Sequence, residues 1–265
     1  MAPVLVGTIA AAEEWSPLRA SLALFVSLAL QIGVNYANDY SDGVRGTDDS
    51  RVGPIRLTAT GLAKPSSVKR AAFISFFLAS LAGLALALLS SWWVILIGVA
   101  SIAAAWRYTG GKNPYGYKGL GDISVFIFFG LIATMGTFYV QTLELTWKVL
   151  FASIPMGSLS CALLAINNLR DRIEDEKVGK KTLAVRIGDK GSRIYFIALI
   201  LSAYLFAFLT VQFWAVATLL TLPISIPVMR KVLAGASGGA LIPLLALTGK
   251  LQILFALTFA VALSI

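Results

Sequence analysis

Long apolar blocks alternate with short polar ones along this chain. The blocks cover residues 20–38, 71–89, 91–106, 122–141, 147–168, 194–211, 213–229 and 251–265. A helix needs about 20 apolar residues to cross a bilayer, so each block predicts a crossing. The stretch Met1–Ala12 is half a block and lacks the basic start of a signal peptide. It reads as a short anchor or as the remainder of a helix that begins further upstream. Counting it gives nine helices. Pro223 and Pro227 predict a kink in the eighth.

Two blocks run on into polar stripes. From Asn35 the chain reads Asn-Tyr-Ala-Asn38-Asp39-Tyr-Ser-Asp42, with polar residues at offsets 0, 3, 4 and 7. From Asn168 it reads Asn-Leu-Arg-Asp171-Arg-Ile-Glu-Asp175, with the same offsets. This spacing is one face of a helix. The stripes lie 133 residues apart in 265, which suggests a single domain of two related halves, about 1–141 and 142–265.

Charge orients these helices. With nine crossings, 20 of the 22 Lys and Arg fall on one side, and only Arg19 and Lys148 on the other. The rich side is the cytoplasmic one, and the plasma membrane of a prokaryote is the expected location. Ten of the 13 acids fall there too, so the chemistry is expected at one membrane face.

Composition narrows the chemistry. Charged residues are 13% of the chain, about half the usual level for a soluble domain, and mean hydropathy is +0.82. There is no histidine and one cysteine, Cys161. That excludes imidazole catalysis, most zinc chemistry, haem ligation by histidine and any intrachain disulfide. The net charge of +9 is accounted for by orientation, anionic lipid headgroups and an anionic substrate, not by nucleic acid.

Carboxylates three or four residues apart on a helix repel one another, and ionisable groups at membrane depth are usually functional. Acids with Asn amide oxygens are ligands for magnesium, which commonly also binds substrate phosphate. Basic residues follow both stripes: Arg45, Arg51 and Arg56, then Lys177, Lys180 and Lys181. A single Asp at a helix exit often does no more than solvate the end. Two stripes of matched spacing argue for a shared metal and phosphate site. A transporter lined by acids is the alternative from another class, though its acids would be expected nearer the midplane.

The residues Asn38-Asp39-x-x-Asp42 with Asp48 or Asp49, paired with Asp171-x-x-x-Asp175, resemble the two aspartate-rich motifs of the UbiA superfamily of membrane prenyltransferases. The longer runs 35–56, 108–122, 167–188 and 240–252 resemble its 1,4-dihydroxy-2-naphthoate-prenylating members, which serve menaquinone synthesis. Two features depart from the wider pattern. Gly46 stands where the last acid of the first motif is usual, which leaves the third ligand open between Asp48 and Asp49. The first helix is also shorter than is usual for the family.

The resemblance implies an all-α, polytopic bundle with a cytoplasm-facing site and two Mg²⁺ ions. It implies transfer of a polyprenyl group from polyprenyl diphosphate to 1,4-dihydroxy-2-naphthoate, with loss of carbon dioxide, to give demethylmenaquinone. Other acceptors within the family are 4-hydroxybenzoate, homogentisate, haem and a glycerol phosphate. Asp39, Asp42, Asp171 and Asp175 are the expected catalytic metal ligands, joined by Asn35, Asn38, Asn168 and either Asp48 or Asp49. Arg51, Arg56, Lys118 and Lys181 are candidates for the diphosphate. Asp122 and Tyr115 are candidates for the aromatic acceptor.

Overall fold

The computed structural model describes residues 1–47, 53 and 55–265, except for the side chain of Glu13. Among these residues there is no strand. The helices are α1 (Ala2–Ala10), α2 (Pro17–Arg45), α3 (Pro65–Leu89), α4 (Trp93–Thr109), α5 (Gly121–Val125), α6 (Ala133–Thr142), α7 (Trp147–Lys177), α8 (Leu183–Val211), α9 (Leu222–Leu233) and α10 (Leu241–Leu263). Six helical stretches among the described residues are long and apolar enough to cross a membrane.

Three of these stretches are composite, the last only by a 3₁₀ turn, Gly238–Ala240, ahead of α10. Residues 121–142 join α5 to α6 through a π-helical segment, Phe126–Ile132. The stretch Leu183–Leu233 has 51 residues. Straight, it would measure about 76 Å, far beyond the hydrocarbon thickness of about 30 Å. It breaks at Gln212, where φ is +48°, and folds back on itself. The Tyr204 hydroxyl in α8 meets Thr221 Oγ1 at 2.6 Å and donates to Ser225 Oγ at 3.0 Å. Pro223 lies in the first turn of α9, where a missing N–H costs nothing, and Pro227 lies inside the helix.

The two striped helices are the long ones. α2 has 29 residues and α7 has 31, about 43 and 46 Å, so each outreaches the hydrocarbon and carries its stripe past it. α2 stops at Gly46 because its φ of +70° suits glycine. The Gly46 N–H bonds Gly43 O and the Thr47 N–H bonds Asp42 O. The position that departs from the family's acid pattern is thus the helix stop. α7 starts on the Thr146 side chain, which accepts from Val149 N–H at 3.2 Å.

α7 is the central post. Of its most apolar window 72% is buried, against 11–33% for the other five stretches. Met156, Leu159 and Ile166 in α7 pack with Phe196 and Ile200 of α8 and Phe255 and Phe259 of α10. α2 and α3 form a second cluster with α4, through Ala37, Ala72 and Phe76. Trp15, Trp92, Trp93, Trp147 and Trp214 are exposed at the helix ends away from the stripes, as expected of an interfacial aromatic belt.

Candidate active site

Between the two clusters lies one cavity of about 1020 Å³. Its deep walls are mainly apolar, with Leu28, Ile102, Phe128, Phe129 and Ile132, interrupted by Gln31 and Thr137. Both stripes line its other end. Asn35, Asn38 and Asp42 come from α2, and Asn168, Asp171, Glu174 and Asp175 from α7. Helix geometry alone places each stripe on one face. Packing against the core then turns both faces toward the same space.

Asp42 is 5% exposed. The Tyr117 hydroxyl donates to its Oδ1 at 2.6 Å, and Lys180 Nζ donates to its Oδ2 at 3.0 Å. Lys180 also lies over the Tyr117 ring, 4.9 Å from its centre. Burial alone would pull the Lys180 ammonium down, but Asp42, Tyr117 and Asp175 together hold it above the usual lysine range. Burial first, and then the Asp42 carboxylate, push the Tyr117 phenol up. The Thr109 hydroxyl donates to Asn38 Oδ1 at 2.8 Å. Arg45 donates to the carbonyls of Thr109 and Gly111, and its guanidinium lies over the Tyr117 ring at 5.4 Å. Tyr117 O accepts from Lys181 N–H at 2.9 Å. These bonds sew the 110–120 loop to α2 and to the segment that follows α7.

In the second stripe, Arg170 makes a two-pronged pair with Asp171, at 2.6 and 2.7 Å. It also donates to Asn167 Oδ1 at 2.8 Å. The Arg170 side chain is 1% exposed, so it fixes the Asp171 carboxylate from behind.

Several expected residues sit elsewhere. Asp39 is not in the cavity wall. Its two oxygens accept the N–H groups of Leu57 and Thr58, each at 2.8 Å, so it holds the loop that follows α2. Lys118 and Lys181 are exposed and outside the cavity lining, while Arg56 lines it. Tyr115 lines the cavity, its hydroxyl donating to Ala104 O at 2.9 Å and meeting Ser124 Oγ at 2.8 Å. Asp122 faces a separate, small cavity. Asp48, Asp49 and Arg51 lie outside the described residues.

By sequence, Lys180 is one of the bases after the second stripe but Lys181 is the diphosphate candidate, and Glu174 has no expected role; Lys180 and Glu174 both line the cavity. Gly179, with φ of +77°, turns the chain after α7, and the next residues alternate: Lys180 buried, Lys181 exposed, Thr182 buried. Nothing in the residues Lys180-Lys181-Thr182 themselves separates the buried lysine from the exposed one.

Among the described residues no three acids converge as a ready metal cage. That suits magnesium, which usually takes one or two carboxylates plus waters and substrate phosphates. The oxygen donors on the two stripes fit that need.

The profile of the UbiA prenyltransferase family matches residues 1–240. A relative from Mycobacterium tuberculosis (strain ATCC 25618 / H37Rv), named 1,4-dihydroxy-2-naphthoate octaprenyltransferase, is 47% identical over 268 residues, covering 100% of this chain and 92% of the relative. The apo structure of a UbiA homologue from Aeropyrum pernix K1 is similar with a TM-score of 0.78 at 17% identity, covering 98% of this chain and 95% of that one. A UbiA homologue from Archaeoglobus fulgidus, bound to DMAPP and Mg²⁺, is similar with a TM-score of 0.57 at 17% identity, covering 100% and 94%.

Proposed function

The chain belongs to the UbiA prenyltransferase family, and from that premise we propose that it transfers a polyprenyl group from its diphosphate to 1,4-dihydroxy-2-naphthoate. The allylic C–O bond breaks, and the electron pair leaves with diphosphate. An unsubstituted ring carbon attacks the allylic carbon and loses its proton, and the ring carboxylate leaves as carbon dioxide from a carbon that takes up a proton in its place. The product is demethylmenaquinone, formed as its quinol. The observation that carries the chemistry is the meeting of both acidic stripes at one end of a single cavity with mainly apolar deep walls. The choice of acceptor rests on the relative that is 47% identical along the whole chain.

The proposed site works as follows. Asp42, Asp171 and Asp175 hold Mg²⁺, two ions by the family's pattern, with Asn35, Asn38 and Asn168 completing or orienting the ligand set. Bound there, Mg²⁺ supplies positive charge against the departing diphosphate. Arg56 and Lys180 bind phosphate oxygens by charge-assisted hydrogen bonds. Lys180 exchanges Asp42 for phosphate when the site loads. Asp39 acts indirectly, by fixing the loop that carries Arg56. The apolar cavity walls hold the prenyl chain and keep water from the electron-poor allylic carbon. In this reading nine helices enter the membrane, α1 with its nine residues, about 13 Å, reaching only part of the way, and the site opens to the cytoplasm. The hairpin at Gln212 supports that count, and the sorting of Lys and Arg supports the orientation.

The test is substitution of the second stripe. Asp171→Ala and Asp175→Ala should each abolish Mg²⁺-dependent transfer while the protein still inserts and elutes as a single species. Full activity in both would remove the stripe from the mechanism.

A further inference from the structure

A second, much smaller cavity lies behind the second stripe. Its volume is about 10 Å³, the room that one water molecule needs. Four polar side chains border it: Asp122 at the start of α5, Asn168 in α7, and Ser192 and Tyr195 in α8. Asp122 is 6% exposed, and its Oδ1 is fully buried with no hydrogen-bond partner. A buried carboxylate oxygen left unsatisfied costs free energy, so a site this polar calls for an occupant. The backbone supports the placement: Cys161 Sγ donates to Asp122 O at 3.2 Å, pinning the start of α5 against α7 two turns before Asn168.

Asn168 borders both cavities. It stands in the wall between the substrate space and the Asp122 chamber. An amide has a donor end and an acceptor end. A carboxylate accepts only, and Ser192 spends its hydroxyl hydrogen on Gly188 O, so a water that donates to both accepts from the NH₂ end of Asn168. The carbonyl end is then left facing the substrate cavity, the end a magnesium ion needs.

We propose that Asp122 is a positioning residue which, through one buried water and with Tyr195, fixes the orientation of the Asn168 carboxamide at the metal site. Asp122 then has no direct contact with the aromatic acceptor. The inference rests on the reading of Asn168 as part of the metal site.

The experiment is steady-state kinetics on Asp122→Asn, Tyr195→Phe, Asn168→Ala and the double variant Asp122→Asn/Asn168→Ala, with Mg²⁺ and acceptor each varied. Asn at 122 keeps the shape of Asp but adds a donor, so it no longer selects one end of Asn168. Asp122→Asn should raise the half-saturating Mg²⁺ concentration about tenfold, the usual loss when the partner behind a metal ligand is removed. The acceptor KM should stay unchanged. Tyr195→Phe should move Mg²⁺ dependence the same way by a smaller factor. In the Asn168→Ala background, Asp122→Asn should add nothing, because the group it orients is gone.

Losses that multiply in the double variant would overturn the positioning role alone. So would a raised acceptor KM with unchanged Mg²⁺ dependence, which would put Asp122 on the acceptor. An Asn168→Ala enzyme with normal Mg²⁺ dependence would sink the reading of Asn168 and this inference with it. Thermal unfolding of each purified, substrate-free variant across a Mg²⁺ titration reads metal binding without turnover: Asp122→Asn should need about tenfold more Mg²⁺ for the same rise in Tm, and an unchanged Mg²⁺ response would overturn the positioning role.

Discussion

Replacing Lys180 by Met tests the exchange of partners at Asp42. The pair is buried: the two side chains are 10% and 7% exposed, and Nζ lies 3.0 Å from Oδ2. Removing one partner of such a pair commonly costs about 3–5 kcal/mol, because a charge is left buried and unpaired. Here Asp42 keeps the Tyr117 hydroxyl at 2.6 Å, so the lower end applies, about 3 kcal/mol. For a chain of this size each kcal/mol shifts Tm by about 2–4 °C. The metal-free variant should therefore melt about 6–12 °C below the parent. Mg²⁺ beside Asp42 takes over the role of the missing ammonium, so saturating Mg²⁺ should close most of that gap. By linkage, Mg²⁺ should also bind the substrate-free variant more tightly than the parent, since no ammonium competes for Asp42. Turnover should still fall, because a phosphate contact is gone. Thermal unfolding in detergent across a Mg²⁺ titration reads all of this. An equal Tm deficit with and without Mg²⁺ would refute the exchange and leave Lys180 a purely structural partner.

Two further substitutions separate roles on the striped helices. Asp39→Ala should destabilise by about 2 kcal/mol, since two hydrogen bonds from the Leu57 and Thr58 N–H groups to a carboxylate are lost. Its Mg²⁺ dependence should change less than that of Asp171→Ala, and titrating the metal in both variants checks the ranking. Gly130→Val should destabilise by about 3 kcal/mol. A Cβ there would sit 2.4 Å from Gly157 Cα, and backbone has little room to yield. The π-helical segment also carries Phe128 and Phe129 into the cavity wall, so transfer should slow as the melting point drops.

Much of this was legible in the sequence, and the rest depended on contacts between distant segments. Both stripes follow from offsets of three and four, which need only helix geometry. Asp39 and Asp42 share one stripe, yet only Asp42 enters the cavity wall. The 55–60 loop folds back onto Asp39, and nothing local to the stripe announces that. Lys180 and Lys181 are identical neighbours. The turn at Gly179 and the start of α8 decide which one is buried. Asp122 begins a helix, where an acid is ordinary, and its small chamber exists only because α7 and α8 close around it. The break at Gln212 was visible as a single polar residue between two apolar blocks, but its positive φ was not.

One acceptor panel reads the acceptor and the chemistry together. The purified protein in lipid nanodiscs is given a polyprenyl diphosphate, Mg²⁺ and, in separate reactions, 1,4-dihydroxy-2-naphthoate, 4-hydroxybenzoate and homogentisate, and the products are read by mass. A prenylated, decarboxylated naphthalene product is expected with the first acceptor, lost on chelation of Mg²⁺ and restored by its return. Product with 4-hydroxybenzoate or homogentisate and none with the naphthoate would contradict that expectation.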